Sequence, residues 1–424
     1  MRKRIVSSLV LLVIATLIVG AANAFASGEI TLKVMRPGTP STARAFLEPA
    51  IAAFMKENPN IKVEIVDLGW VEYFSRLAVM WATKTDPDVY MAWYPGIPQY
   101  ADQKLVEPLD DLLDQDLKAR IPEALWKAAS WKGHIYGVPT AVAALALYWH
   151  KDVFAKAGFA PDVPPQTWDE LKDYAIKISR NTKVWGLGMS GKADPFIYDQ
   201  WAVIYHSNSG RGMLDDEGDP LFDGPDGVEA LQYLVDLNKS KATQPNVIQY
   251  NRGDLRPLFR DGKIAMVYND GPWFLPILEQ TFDFSNKEKS PIGISTLPKG
   301  KKGNYSILGN DCWVVSAHTK HPKEAWKLLS FLVRPEWQYK HDVAYGTVPA
   351  QTGEYSMPEF KKWYWQPFIQ QVQKGFSYPK TPDLTAIRDG EGGLNENIQR
   401  AIAGVLTPQE ALSNAARLAR KLKK

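Results

Sequence analysis

Arg36, Trp70, Trp93 and Tyr94 stand just after three segments that read as β-strands, Ile30 to Met35, Ile61 to Val66 and Asp88 to Ala92. Where strands alternate with helices, ligands bind outside the carboxyl ends of the strands. These four side chains therefore occupy the positions from which a site could be built. An aromatic face matches the apolar C–H face of a sugar ring, while its edge keeps polar contacts. The competing reading is that Trp70 and Trp93 merely plug the domain. Covalent chemistry finds little support. The chain has six His and no H-E-x-x-H pair for a metal hydrolase, and Arg36-Pro37-Gly38 stands where a dinucleotide-binding glycine fingerprint would begin. It has no G-x-S-x-G nucleophile motif. The single Cys312 excludes an intramolecular disulfide and a cysteine zinc site. The acidic run Asp215 to Asp219 lacks the closing glutamate of a calcium loop and reads as a solvated turn. A glycosidase needs two carboxyl groups about 5–10 Å apart. The 47 acids could supply a pair, but no motif puts one on neighbouring strand ends. The expectation is non-covalent capture of a small molecule, with no cofactor and no metal. Arg36, Arg211 and Arg252 could alternatively clamp an anion such as a sugar phosphate.

The elements that would position these residues follow from periodicity. Leu47, Ala50, Ile51 and Phe54 recur at helical spacing after the first strand, and a further helix spans Val71 to Ala82. Strand and helix alternate, so a largely parallel sheet covered by helices is expected. Gly137 to Trp149 is an apolar run, too short for a membrane span and long enough for a buried strand. Thr167 with Glu170 reads as a capping box for the helix that follows. Asp194 opens a helix rich in aromatic and polar groups, including Phe196 and Trp201. Thr407-Pro408-Gln409-Glu410 opens a last helix in the same way.

Residues 1–26 read as a secretory leader: Arg2, Lys3 and Arg4, an apolar stretch to Gly20, and small-x-small cleavage sites at Ala22 to Ala26. No cysteine follows the apolar stretch to carry a lipid. The leader holds three basic and no acidic residues, so 50 basic residues against 47 acidic fall to 47 against 47 on maturation. A neutral chain is a poor candidate for nucleic acid. About 400 mature residues exceed what one core of ~250–300 residues holds. No Gly- or Ser-rich linker separates two halves, so the chain is expected to cross between lobes more than once.

Four motifs in order carry a resemblance. They are Tyr136-Gly137-Val138-Pro139 with the Lys151-Asp152 to Gly158 and Pro165 to Leu171 segments, then Phe259 to Met266, then Gly271-Pro272-Trp273, and Leu308-Gly309-Asn310-Asp311. Together the chain resembles the family 1 extracellular solute-binding proteins, the carbohydrate receptors of ABC importers. The resemblance implies an α/β, type II periplasmic-binding fold of two lobes, each a mainly parallel sheet flanked by helices. It implies lobe 1 from 27–141 and 296–346, and lobe 2 from 142–295 and 347–424, with crossovers near Gly137 to Trp149, Ile292 to Pro298 and Gly346 to Pro349. It places Trp273 against the ligand, with Asn269 beside it. It makes Leu308 to Asp311 a glycine turn offering Asn310 and Asp311, and adds Trp365 from the cluster Trp363 to Trp365. It ends the helix after Pro322 at Pro335. It implies a periplasmic, monomeric protein that hands a carbohydrate to membrane permease subunits. Where maltose-binding members carry a glutamate in the crossover strand, this chain has Ala143. Where they carry an acid and an arginine after the third strand, it has Pro95-Gly96. Maltose is therefore not the expected ligand. A receptor for a sugar phosphate or polyol, and less readily a secreted glycosidase, are the alternatives.

Overall fold

A computed structural model describes residues 29–423; the leader assigned to residues 1–26 lies outside them. The strands are β1 Ile30–Met35, β2 Ile61–Val66, β3 Val89–Trp93, β4 Ser130–Trp131, β5 His134–Ile135, β6 Val138–Ala143, β7 Ala146–His150, β8 Trp185–Leu187, β9 Ile264–Asp270, β10 Ile292–Ser295, β11 Ile307–Val315, β12 Val348–Pro349 and β13 Phe376–Ser377. They form two main sheets. One runs β12-β6-β11-β3-β1-β2, with β13 added beside β11; the other runs β10-β7-β9-β8. The expected parallel pairing holds in β2-β1-β3 and in β8-β9. The crossing strands β7 and β11 pair antiparallel with β9, β10, β3 and β6, and only the short β13 joins β11 in parallel. The reason is directional. A strand arriving from the other lobe enters at the cleft edge and must run away from it, opposite to the strands that end there.

Each sheet has its own core. The first buries Phe46, Leu47, Ala50, Ile51 and Phe54 of the Pro40–Glu57 helix with Ala325, Leu328 and Tyr345 of the later helices. The second gathers Trp168, Leu171, Ala175 and Ile178 with the Pro195–Ser209, Pro225–Lys239 and Pro408–Leu422 helices. The last of these opens on the expected Thr407–Glu410 capping box. Three local expectations change. Glu170 accepts from the Gln166 amide at 2.6 Å rather than from Thr167, although Thr167 caps the Glu170 amide. Gly309 lies inside β11, where the ladder to β6 begins, and not in a turn. Pro335 starts a second helix, Pro335–Tyr345, because proline at a first helical position lacks only an N–H that is orphaned anyway.

The crossovers are tied to one another. Only Ala144 and Leu145 separate β6 from β7, and the Leu145 amide donates to Ser306 Oγ on the second crossover at 2.8 Å. Beside the third crossover, Asp342 accepts from Thr347 Oγ1 at 2.7 Å and from Gln338 Nε2 at 2.9 Å, while Gln338 also donates to the Thr140 carbonyl of β6 at 2.7 Å. Burial pushes the Asp342 carboxyl well up and the His341 imidazole well down. Gly346, between Asp342 and Thr347, has a left-handed φ of 63°. A Cβ there would meet the Pro272 carbonyl at 2.9 Å and Trp273 Cα at 3.0 Å.

Glu354 follows this crossover, buried, with neither carboxylate oxygen hydrogen-bonded among the described residues. Burial, then the nearby Asp342 charge, raises it from 4.5 to about 9, with Arg120 opposing. The folded state thus keeps a proton that the unfolded state releases across that window, so stability falls as pH rises through it. Glu354→Gln should raise the melting temperature most near the top of the window and leave it unchanged at the bottom. Melting curves of both proteins across pH check this; a difference that does not vary with pH would locate the titration elsewhere.

Candidate functional site

The carboxyl ends of β1 and β3 and the middle of β11 build one wall. Arg36 leaves β1 and is almost fully buried; its Nη2 lies 3.3 Å from Asp311 Oδ2. Asp311 pairs with Trp93 across the β11–β3 ladder, which brings the two side chains' strands together at this end. The Arg36 guanidinium lies 4.1 Å from the Tyr345 ring centroid. Burial raises the Asp311 carboxyl, and Arg36 pulls it back. Tyr94 is buried beside Trp93, and its phenol is pushed well up by desolvation. Asn310 precedes Asp311 on β11, opposite Val142 of β6.

The facing wall belongs to the second lobe. Asp194 caps the Pro195–Ser209 helix through a 2.9 Å bond from the Phe196 amide, and this sets Phe196 and Asp199 on its first turns. Arg252, at the start of the Arg252–Arg260 helix, donates to Asp199 Oδ2 at 2.6 Å. Its guanidinium covers Phe196 at 4.2 Å and Trp273 at 5.3 Å. The Tyr378 hydroxyl donates to the other oxygen of Asp199, and its ring stacks on Tyr198 at 5.5 Å with 17° between planes. Burial raises the Asp199 carboxyl; Arg252, the Tyr378 bond and Arg388 oppose it. Asn269, at the end of β9, donates to the Phe196 carbonyl at 2.8 Å.

The lobes meet on Trp93. Its ring stands edge-on to Tyr378 at 4.6 Å and carries the Arg388 guanidinium at 4.4 Å on its face. Arg388 is held by Asp389 through Nε at 2.8 Å and Nη2 at 2.7 Å. Beyond this contact the seam widens into a space of about 440 Å³, between Gln99 and Asp102 on one side and Asp383, Thr385 and Asp389 on the other.

Of the residues singled out from sequence, Arg36, Trp93, Asp311, Phe196, Asn269 and Trp273 fall around this seam. Trp201 and Trp365 do not. Trp201 is fully buried inside the second lobe, stacked on Tyr205 at 5.6 Å and bonded through Nε1 to the Gly227 carbonyl. Trp365 is buried against Phe360 and Phe368, with Nε1 on Glu359. Trp70 begins the Trp70–Thr83 helix and is 47% exposed. Sequence reasoning passed over Asp199, Tyr378 and Arg388. Arg211 is paired with Asp226 at 3.8 Å.

The arrangement does not resemble a nucleophile site. Asp199, Asp311 and Asp389 are each engaged by an arginine. Ser316 and His318 share Asp86, but the serine hydroxyl donates to the carboxylate and not to the imidazole, so nothing there activates it. Among the described residues no group of three or more potential ligands could hold a metal, and no helix is long and apolar enough to cross a membrane.

Two sheets joined by crossing strands, with aromatic and charged side chains gathered where the strands of both lobes end, define a two-lobed solute-binding protein. The sequence profile described as bacterial extracellular solute-binding protein matches residues 39–339, and the chain belongs to that family. A solute-binding protein from Thermotoga lettingae, solved with α-D-tagatose, superposes with a TM-score of 0.81 at 26% identity, over 93% of this chain and 100% of that one. A binding protein of Brucella abortus is 28% identical over 80% of both chains. The maltotriose-binding protein of Pyrococcus abyssi is 26% identical over 73% of this chain and 65% of its own. The sn-glycerol-3-phosphate-binding protein of Shigella dysenteriae is 22% identical over 85% of each.

The contrast among tryptophans is measurable. Trp201→Ala and Trp365→Ala each leave a core cavity and should cost about 3–5 kcal/mol in urea unfolding. Trp273→Ala, at the half-buried edge of the second core, should cost clearly less. Equal losses at all three positions would place Trp273 in the core as well.

Proposed function

We propose that this protein is the carbohydrate receptor of an ABC importer, capturing a sugar between two closing lobes and delivering it to membrane permease subunits. The observation that carries the reading is the seam itself. Trp93, Tyr378, Trp273 and Phe196 gather there, each with one face against a neighbour, interleaved with buried guanidinium–carboxylate pairs. Ring faces suit the apolar faces of pyranose or furanose rings, and the polar edges between them suit hydroxyls. The sugar ligands of related proteins support the same class.

In this reading the moving bodies are 27–141 with 296–346, and 142–295 with 347–424, turning about the tied crossovers. Opening separates Trp93 from Tyr378 and Arg388, and closure wraps the ligand. The leader is removed after Ala26 and the mature, unlipidated monomer works in the periplasm. No bond of the ligand is broken, because the seam's carboxylates are engaged by arginines rather than poised as an acid and a base.

The test is thermal unfolding of the chain from Ser27 onward against neutral mono- and oligosaccharides and polyols. At a hundredfold over Kd a ligand adds about 2.7 kcal/mol, a shift of a few degrees. Trp93→Ala and Trp273→Ala should each abolish the shift, and chromatography should recover the sugar intact. Silence across the panel, or cleaved product, would overturn the reading.

A further inference from the structure

Three arginines stand at the seam, and each has its own aspartate: Arg36 with Asp311, Arg252 with Asp199, and Arg388 with Asp389. The positive charge of the site is cancelled group by group. The Arg388 pair is the most telling. Its Nε and Nη2 form the two-pronged edge that grips a carboxylate or phosphate, and Asp389 already fills that edge. Asn395 Nδ2 donates to the same Asp389 Oδ1 at 2.7 Å and helps hold the carboxylate in place. The faces of the guanidinium groups are covered too, by Tyr345, by Phe196 and by Trp93. What remains is a set of in-plane N–H donors: Arg36 Nε and Nη1, Arg252 Nε and Arg388 Nη1 are buried and have no hydrogen-bond partner among the described residues. A buried donor without an acceptor is costly. A ligand oxygen that reaches it is rewarded, provided the ligand brings no charge that the neighbouring carboxylates repel.

We propose that this seam selects a neutral polyhydroxylated ligand and rejects the phosphorylated form of the same sugar, with Asp199, Asp311 and Asp389 as the specificity residues. Hydroxyl oxygens accept from the free guanidinium N–H groups. A phosphate finds the Arg388 fork occupied, Nη2 of Arg36 and of Arg252 already engaged, and three carboxylates in the same seam, where like charges repel. The proposal rests on the carbohydrate reading and sharpens it, since one relative is named for a phosphate ester.

The experiment is titration calorimetry of the mature chain with two sets of probes. The neutral set is tagatose, maltose, maltotriose and ribitol; the anionic set is glucose 6-phosphate, sn-glycerol 3-phosphate and inorganic phosphate. Binding should appear in the neutral set alone and should change little with salt. Asp389→Asn leaves a partly exposed position neutral and frees the fork of Arg388. It should raise affinity for the phosphate esters by about tenfold or more, in a salt-sensitive way, with the fold confirmed by its melting curve. Asp311→Asn serves as a second variant with the same expected direction. Phosphate esters binding the native chain as tightly as any neutral probe would overturn the inference while leaving a carbohydrate receptor in place. Affinity for phosphate esters unmoved in both aspartate variants would also overturn it. Binding in neither set would remove the carbohydrate reading itself, and this inference with it.

Discussion

The chain passes from one sheet to the other through two residues, Ala144 and Leu145. That brevity is the constraint on which the molecule depends. Two sheets joined so tightly cannot sit far apart, and the strands that end at the junction must do so face to face. The loops after β1, β3 and β9 therefore open onto a shared seam. The antiparallel entry of β7 and β11 is a consequence of the same geometry, and so is the polar stitching. A short crossover exposes backbone groups that cannot be left unpaired when buried. Ser306 and Gln338 take up that role for the Leu145 amide and the Thr140 carbonyl.

Within the seam, charge and aromatic surface are distributed by a common rule. Each guanidinium is flanked by a carboxylate in its plane and by rings on its face. Burying an arginine alone would be prohibitive, and burying a carboxylate alone likewise. Paired, they remain as directional hydrogen-bonding groups with little net charge. The upward pull of burial on Asp199 and Asp311, resisted by their arginines, is the electrostatic mark of that balance.

Much of the scaffold was legible because it obeys local rules. The buried stripe of the Pro40–Glu57 helix and the Thr407 cap both followed from spacing. The place of Arg36 and Trp93 at the seam was readable because both stand at the ends of strands. Tyr378 and Arg388 were not. Tyr378 lies in an aperiodic stretch whose place is fixed by β13 joining β11, and Arg388 sits in a helix of six residues, too short to show a period. Trp201 misled for the opposite reason. Every residue from Ile197 to Asn208 is buried, so its helix has no polar stripe to say which side faces the ligand. Pro335 misled because proline both stops helices and starts them.

Gly346 carries a further consequence. It ends a helix of the first lobe, yet the space its missing Cβ would fill is taken by the Pro272–Trp273 turn of the second. The contact between the lobes there is therefore close to backbone against backbone, with only the Pro276 ring beside it to yield. A single added methyl would act as a doorstop. It would push the two lobes apart at this contact, although every side chain that lines the seam would be intact.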